Sequence, residues 1–158
     1  MKEEQFTPLA ERYMDAVFRL ALSYTRSAAD AEDVTQTALL ALYRTDTHFE
    51  SELHVKNWLM RVTVNECRKL FRSPWRKTED IADYAESLAL PEAEQRELLE
   101  TVMALPVKYR TVLYLYYYEQ YSTAEIAAIL SISAATVRTR LARGREALKT
   151  ILSEEECL

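Results

Sequence analysis

The chain has 158 residues, of which 49% are hydrophobic and 28% charged, and its formal net charge is -5. This is the composition of a globular protein, and it excludes a disordered or fibrous chain. One glycine and four prolines predict helix throughout, because the turns of a sheet use glycine, and they exclude glycine-rich phosphate loops. No apolar run approaches the roughly 20 residues that span a bilayer, and the N-terminus is charged where a signal peptide is apolar. We therefore expect a cytoplasmic protein.

Residues that commonly carry catalysis or bind metals are few and scattered. Cys67 and Cys157 lie far apart, and His48 and His54 have no cysteine or acidic partner at ligand spacing. The sequence shows no disulfide framework, no zinc-binding pattern and no nucleophile–histidine–acid set. It therefore predicts that the protein is not an enzyme and uses no metal, cofactor or small-molecule substrate.

The acidic residues are concentrated in the middle and at the end of the chain. Residues 78–100 hold eight acidic residues and one basic residue, a net charge of -7, whereas the rest, apart from the acidic tail 153–158, is basic. We therefore predict an N-terminal domain (1–75), an acidic linker (76–94) and a C-terminal domain (95–153). A solvated linker is the simplest interpretation, but two basic blocks also favour a polyanionic partner.

The N-terminal domain is predicted to contain three amphipathic helices. In the first helix, apolar residues recur at three- and four-residue spacing: Leu9, Tyr13, Val17, Leu20 and Tyr24. Ser27 is a predicted N-cap for the second helix, with Asp30 three residues on as in a capping box. This second helix is expected to bury one stripe: Ala31, Val34, Ala38 and Leu42. Its other face exposes Glu32, Asp33 and Gln36.

The third helix is predicted from about Val55 to Phe71, after a loop over residues 45–54. Its expected apolar face is Val55, Trp58, Leu59, Val62 and Leu70. The opposite face carries a polar stripe about three turns long: Arg61, Asn65, Arg68 and Arg72. Such a stripe is usually only the solvated side of a helix. Arginines and an amide near aromatic residues also suit a single nucleic-acid strand, so contact with DNA is a second interpretation.

The C-terminal domain begins with helices of less distinctive pattern. One is predicted to end near Leu105-Pro106 and a second to run from Val107 to about Gln120. The apolar positions of the first are Leu98, Leu99, Val102 and Met103. Those of the second are Tyr109, Val112, Leu113, Tyr116 and Tyr117. Tyrosines at this spacing usually belong to a core and keep their hydroxyl groups in water.

A helix-turn-helix is predicted in residues 122–149. Ser122 and Glu125 form a capping box, the first helix buries its apolar face, and Ser133 caps the second helix after a short turn. The predicted core of the two helices is Ile126, Ala127, Ile129, Leu130, Val137, Leu141 and Leu148. The second helix turns a polar side outwards: Thr136, Arg138, Thr139, Arg140 and Arg143. A basic recognition helix of this kind fits the major groove of DNA.

Three segments together resemble the extracytoplasmic-function group of bacterial RNA polymerase sigma factors. They are DAEDVTQTALLALY (30–43), NWLMRVTVNECRKLFR (57–72) and TAEIAAILSISAATVRTRLARGREALK (123–149). The resemblance covers almost the whole chain except the acidic linker and the tail. It implies an all-α fold of two small helical domains, the second a helix-turn-helix domain. It also implies a protein that binds RNA polymerase core and directs promoter-specific transcription initiation.

The resemblance implies roles for residues already singled out. The face that meets the clamp coiled coil of the largest polymerase subunit would be Asp30, Glu32, Asp33 and Gln36. The promoter -10 element would be read by Arg61, Asn65, Arg68 and Arg72. In the -35 element, Arg138, Thr139 and Arg143 would lie nearest the bases, and Thr136 and Arg140 nearer the backbone. An anti-sigma factor is a further expected partner.

One segment departs from the family pattern. Phe49 is followed by Glu50-Ser51-Glu52, where many members have a basic residue and a glycine, so an acidic loop would lie near the -10 strand. The acidic linker could mimic nucleic acid in the polymerase channel. The alternative function is a stand-alone helix-turn-helix regulator, which would explain residues 122–149 but neither segment 30–36 nor segment 57–72. A helical adaptor that binds only proteins is a third interpretation.

Overall fold

The computed structural model of the chain describes residues 1–72 and 100–156, which are helices and short connections without a strand. The chain divides into two compact units, Met1–Thr78 and Glu79–Leu158. The all-α prediction is confirmed, as is the helix-turn-helix in the second half. The predicted acidic linker (76–94) lies outside the described residues.

Three helices form the N-terminal unit: α1 (Glu3–Thr25), α2 (Ala28–Arg44) and α3 (Glu52–Phe71). Each packs against the other two, so that one apolar core fills the space between them. α1 ends where Arg26 adopts a left-handed conformation (φ 55°), and its N–H bonds the Leu22 carbonyl. Ser27 then caps α2 by accepting a hydrogen bond of 3.2 Å from the Asp30 N–H. This N-cap was predicted correctly.

α3 differs from its prediction in both start and buried face. It begins at Glu52, because Ser51 caps it by accepting a bond of 3.1 Å from the His54 N–H. Val55 and Leu59 are buried as expected. The rest of the buried face is Met60, Thr63, Val64 and Cys67. The predicted core residues Trp58, Val62 and Leu70 are only half-buried, because α3 is rotated so that they lie at the edge of the core.

The C-terminal unit contains α4 (Val107–Tyr117), α5 (Thr123–Leu130) and α6 (Ala134–Glu156), preceded by a helical stretch over residues 100–103. α4 ends earlier than predicted, and α6 continues through most of the predicted tail. Val112 and Leu113 are buried as expected. The predicted core tyrosines 109 and 116 are half-buried, and Tyr117 is exposed. Tyr114 and Leu115 take their place, and the buried Tyr114 hydroxyl donates to Glu119 Oε1 at 2.7 Å.

The helix-turn-helix is built from the predicted caps. Ser122 and Glu125 form a capping box, and Ser133 accepts a bond of 3.1 Å from the Thr136 N–H at the start of α6. Between them, Ser131 closes α5 in a left-handed conformation (φ 56°). The core of the motif is Ile126, Ile129, Leu130, Val137 and Leu141. Ala127 and Leu148, also predicted as core, are half-buried.

α6 approaches α4 closely at Gly144, the single glycine of the chain. A Cβ atom added there would lie 3.0 Å from Leu113 Cδ1 and 3.4 Å from Tyr109 Cβ. Because real Cβ atoms rarely come this close to a neighbour, the glycine lets α6 pack directly on α4. This contact fixes the position of the recognition helix within its unit.

Candidate nucleic-acid interfaces and protein-binding face

The first three turns of α6 present the polar side predicted for the recognition helix. Arg138, Thr139 and Arg143 are exposed, whereas Thr136 and Arg140 are half-buried. The Thr136 hydroxyl lies 2.8 Å from the Ser133 hydroxyl at the cap. The structure therefore places all five predicted residues in the N-terminal half of α6, where their basic and hydroxyl groups are accessible to DNA.

A polar groove of about 360 Å³ runs between the beginnings of α4 and α6, and we name it the α4–α6 groove. Its lining is Lys108, Tyr109, Ala135, Thr136, Thr139, Arg140 and Arg143. Sequence reasoning missed Lys108 and Tyr109, because they precede the helix-turn-helix and join it only through packing. Arg138 lies outside this groove, so the recognition helix has two different polar flanks.

The second half of α6 carries Arg145, whose side chain packs against α4. Arg145 Nε donates a bond of 2.5 Å to the Tyr117 hydroxyl, and its guanidinium lies 5.4 Å and 5.5 Å from the ring centroids of Tyr116 and Tyr117. These contacts hold the guanidinium against aromatic rings of α4. The basic character of α6 is therefore divided between an open first half and a second half that packs on tyrosines.

The polar stripe of α3 is accessible along its length. Arg61, Asn65 and Arg72 are exposed and Arg68 is half-buried. One turn before Arg61, the half-buried Trp58 meets Phe49 edge to face, with ring centroids 5.6 Å apart. A flat aromatic group thus borders the basic stripe, which is the combination that holds single-stranded bases and their phosphates.

The loop before α3 is held in place by His54. Its Nδ1 accepts a hydrogen bond of 3.1 Å from the Glu50 N–H, and its ring lies 5.1 Å from that of Phe49. Sequence reasoning missed this role, because a hydrogen bond from a side chain back to a loop leaves no periodic signal. The histidine orders the aromatic residues beside the polar stripe.

The first residue of α3, Glu52, is paired with α1. The Glu52 carboxylate pairs with Arg12 of α1, and the Tyr13 hydroxyl lies 3.5 Å from it. The hydrogen bond with Glu52, and then its charge, raise the pKa of Arg12 above the usual value for a guanidinium. One of the two acidic residues that depart from the family pattern is therefore neutralised by α1.

The acidic face of α2 is formed by Glu32, Asp33 and Gln36, all of which are exposed. Asp30, which we predicted in the same face, is instead half-buried at the N-terminus of the helix, where its N–H is bonded to the Ser27 cap. The exposed face continues one turn beyond Gln36 with Leu40, which is 46% exposed. The exposed face of α2 therefore offers an apolar group beside its acidic and amide groups.

Neither a metal site nor a membrane span is found in the part of the chain that the structure describes. Residues 1–72 and 100–156 contain no cluster of three histidine, cysteine or acidic side chains that could hold a metal ion. None of their helices is long and apolar enough to cross a membrane.

Two helical units with basic surfaces, one of them a helix-turn-helix, define a DNA-binding class of protein. Residues 9–77 match the family model for sigma-70 region 2, and residues 95–148 match the model for sigma-70 region 4. The chain belongs to the extracytoplasmic-function (ECF) family of RNA polymerase sigma factors, which are transcription initiation factors. The resemblance seen in the sequence is thereby confirmed.

Individual relatives are similar over most of their length. The ECF RNA polymerase sigma factor SigW of Bacillus subtilis is 31% identical, over 96% of this chain and 91% of its own. SigM of Mycobacterium tuberculosis is 33% identical, over 93% of this chain and 76% of its own. Among solved structures, the sigma factor RpoE bound to the anti-sigma factor NepR from Bartonella quintana has a TM-score of 0.73 at 22% identity, covering 95% and 98% of the two chains. CnrH in complex with the cytosolic domain of CnrY has a TM-score of 0.70 at 25% identity, covering 97% and 90%.

Proposed function

We propose that this chain binds RNA polymerase core and directs initiation at promoters that carry matching -10 and -35 elements. The N-terminal domain (1–75) reads the first element, the C-terminal domain (95–153) reads the second, and the acidic linker (76–94) connects them. The family-model matches over residues 9–77 and 95–148 support this division. The observation that carries the proposal is the capped, basic first half of α6, exposed on a helix-turn-helix in a chain that also matches region 2.

In the -10 element, the polar stripe of α3 binds one separated strand. Arg61, Arg68 and Arg72 contact phosphates, and Asn65 contacts a base. Trp58 and Phe49, at the edge of this stripe, offer a surface against which an unstacked base can lie. The pairing of Glu52 with Arg12 supports this role, because it reduces the repulsion between the loop and the strand.

In the -35 element, α6 enters the major groove of the duplex. Arg138, Thr139 and Arg143 read base edges, and Thr136 and Arg140 contact the backbone. Arginine bonds guanine bidentately, and threonine contacts either a base edge or a thymine methyl group. The exposure of Arg138, Thr139 and Arg143, with the half-buried Thr136 and Arg140 beside them, supports this assignment.

Core polymerase binds the acidic face of α2, with the clamp coiled coil of the largest subunit as the partner. Glu32, Asp33 and Gln36 supply the polar contacts, and Leu40 adds an apolar one. Asp30, which is half-buried, lies at the start of the same helix and supplies a further carboxylate. An exposed Leu40 beside exposed acidic groups supports a protein partner with a basic and apolar surface.

The chain itself carries out no chemistry, because strand opening needs binding and bond formation belongs to the polymerase. Two DNA-binding domains joined by a linker reinforce one another when both elements are in reach, so each can bind weakly alone. The protein acts in the cytoplasm, where polymerase and promoters are. An anti-sigma factor that covers one or both domains is a further partner, and the similar sigma factor RpoE was solved in complex with the anti-sigma factor NepR.

The test is run-off transcription with purified core polymerase on a library of promoter fragments, with and without the chain. We expect start sites that need the chain and share two motifs one spacer apart. Arg138→Ala should change the preferred -35 motif, whereas Arg145→Ala, whose guanidinium packs on tyrosines, should not. Tight binding to a specific duplex without polymerase, and no binding to core, would instead identify a stand-alone regulator.

A further inference from the structure

The α4–α6 groove holds more positive charge than the recognition helix alone provides. Lys108 of α4 faces Arg140 and Arg143 of α6 across it, and no acidic residue of the described chain lines it. Like charges facing one another across a groove raise the local positive potential and attract an anion. Tyr109, Thr136 and Thr139, which also line the groove, carry hydroxyl groups of the kind that can donate hydrogen bonds to an anion.

The place of the groove indicates which anion it holds. One wall is the first half of α6, so its occupant must lie directly beside the side chains proposed to read bases. When a helix occupies the major groove, the two sugar-phosphate strands run along its flanks, and a neighbouring helix can reach one of them. An acidic protein segment could not lie there while α6 reads DNA.

We propose that Lys108 binds one backbone phosphate of the -35 duplex, next to the phosphate that Thr136 and Arg140 contact, and so fixes the register of α6 in the major groove. Lys108 is exposed, and its Nζ lies 5.1 Å from the centroid of the Tyr109 ring. The ring holds the ammonium group at the mouth of the groove by a cation–π contact. Tyr109 is therefore a positioning residue. This inference deepens the proposed function and rests on it.

A contact between Lys108 and a phosphate differs from a base contact in its salt dependence and in its indifference to sequence. A lysine that neutralises one phosphate releases its counterion, so the slope of log affinity against log salt should fall by about 1 in Lys108→Ala. The wild-type advantage in affinity should therefore shrink roughly threefold between 50 mM and 200 mM salt. The loss should be equal for the preferred -35 motif and for a scrambled one, because phosphates carry no sequence information.

The experiment uses holoenzyme assembled from core polymerase and the full chain, with a fluorescent promoter duplex taken from the run-off test. Affinity is measured across a salt series for the wild type, Lys108→Ala, Lys108→Arg and the control Lys149→Ala. Lys149 is an exposed lysine of α6 that lies outside the α4–α6 groove. We expect Lys108→Arg and Lys149→Ala to keep the wild-type slope, and Lys108→Ala to lose about one unit of it.

A second measurement locates the phosphate. Single neutral methylphosphonates are placed along the -35 duplex, and one of them should weaken the wild type but leave Lys108→Ala unchanged. Three outcomes would overturn the proposal. The salt slope of Lys108→Ala could equal that of the wild type, or its loss of affinity could be confined to the preferred motif. Every methylphosphonate could also weaken Lys108→Ala as much as it weakens the wild type. Lost affinity for an anti-sigma factor with promoter binding intact would assign the groove to an acidic protein segment. If wild-type holoenzyme shows no core-dependent promoter binding, the proposed function itself fails.

Discussion

The two units distribute their polar surfaces over their helices in different ways. In the N-terminal unit, the acidic face lies on α2 and the basic stripe lies on α3, so opposite charges occupy separate helices. In the C-terminal unit a single helix of 23 residues, α6, carries an open basic half and a second half that packs on tyrosines of α4. A substitution that shifts α2 need not shift α3 equally, so the two charged surfaces of the N-terminal unit can be altered separately. A substitution that shifts α6 moves both of its halves together.

This difference teaches that the N-terminal unit sets the relative position of two charged faces through the packing of three helices, whereas the C-terminal unit sets the position of one helix, α6, through its contacts with α4 and α5. α1, α2 and α3 each pack on both of the others, so the relative position of the two charged faces is a property of the whole core. α6 is positioned by α4 and α5, and the close contact at Gly144 sets its distance from α4. The following changes test the comparison.

The largest effect is expected in the N-terminal core. Leu59 is fully buried in α3, so Leu59→Ala should lower the free energy of unfolding of this unit by about 2–5 kcal/mol. Urea titration followed by Trp58 fluorescence measures it. Leu40→Ala is the matched control, because an exposed leucine should cost well below 1 kcal/mol. Equal losses from the two variants would contradict the assignment of the core.

A smaller effect is expected in the first half of α6, which we propose reads bases. Arg138→Ala should weaken promoter binding by holoenzyme by about 1–3 kcal/mol and relax the preference at one -35 position. Affinity for the preferred duplex and for its single-base variants measures both. Arg145→Ala should leave the preference unchanged, since its guanidinium packs on Tyr116 and Tyr117. A changed preference in Arg145→Ala would show that the halves of α6 are not separate.

A smaller loss of binding affinity, this time for core polymerase, is expected from changes in the acidic face of α2. Asp33→Ala and Leu40→Ala should each weaken binding to core polymerase by about 0.5–2 kcal/mol, with no change in the urea midpoint of the N-terminal unit. Fluorescence anisotropy of labelled chain with core measures the affinity. Asp15→Ala, at an exposed acid of α1, is the control. If Asp15→Ala weakens binding as much, general charge and not the α2 face is responsible.

The smallest effect concerns pH. Burial raises the pKa of Tyr118 above its usual value, so the native state keeps this proton at a pH where the unfolded chain releases it. The stability of the C-terminal unit should therefore fall as pH rises above about 10, the value for an unfolded tyrosine. Tyr118→Phe keeps the ring that stacks on Tyr114 and should show a weaker decline. Circular dichroism during urea titration at several pH values measures it, and identical declines would contradict the assignment.

Sequence alone predicted the helices and their caps well, because caps and apolar spacing are local. Ser27, Ser122 and Ser133 all cap the helices for which they were predicted. Rotation of a helix about its axis is less local. In α3, Trp58 and Val62 are as apolar as the residues beside them, so periodicity could not decide which would face α1 and α2. The packing of three helices placed Met60 and Val64 in the core instead.

The candidate sites show the same limit. The polar stripes of α3 and α6 follow from spacing on one helix, and the structure exposes most of both. Lys108 could not be predicted, because only the packing of α4 on α6 brings it beside Arg140. The sequence predicted an acidic loop that includes Glu52, but the structure pairs this residue with Arg12 of α1. The features that residue spacing did not predict, Lys108 in the groove and the pairing of Glu52, therefore depend on contacts between segments that are distant in sequence.

The close approach at Gly144 has a consequence for how relatives of this chain can differ. Since an added Cβ would lie 3.0 Å from Leu113 Cδ1, alanine at position 144 requires the Leu113 side chain to shift by a few tenths of an ångström, and a smaller residue at position 113 would relieve the contact. The two positions should therefore change as a pair, with the double substitution Gly144→Ala and Leu113→Val tolerated better than Gly144→Ala alone. A search for promoter-switching variants should hold this pair constant, because changing it alters the packing of the recognition helix on α4.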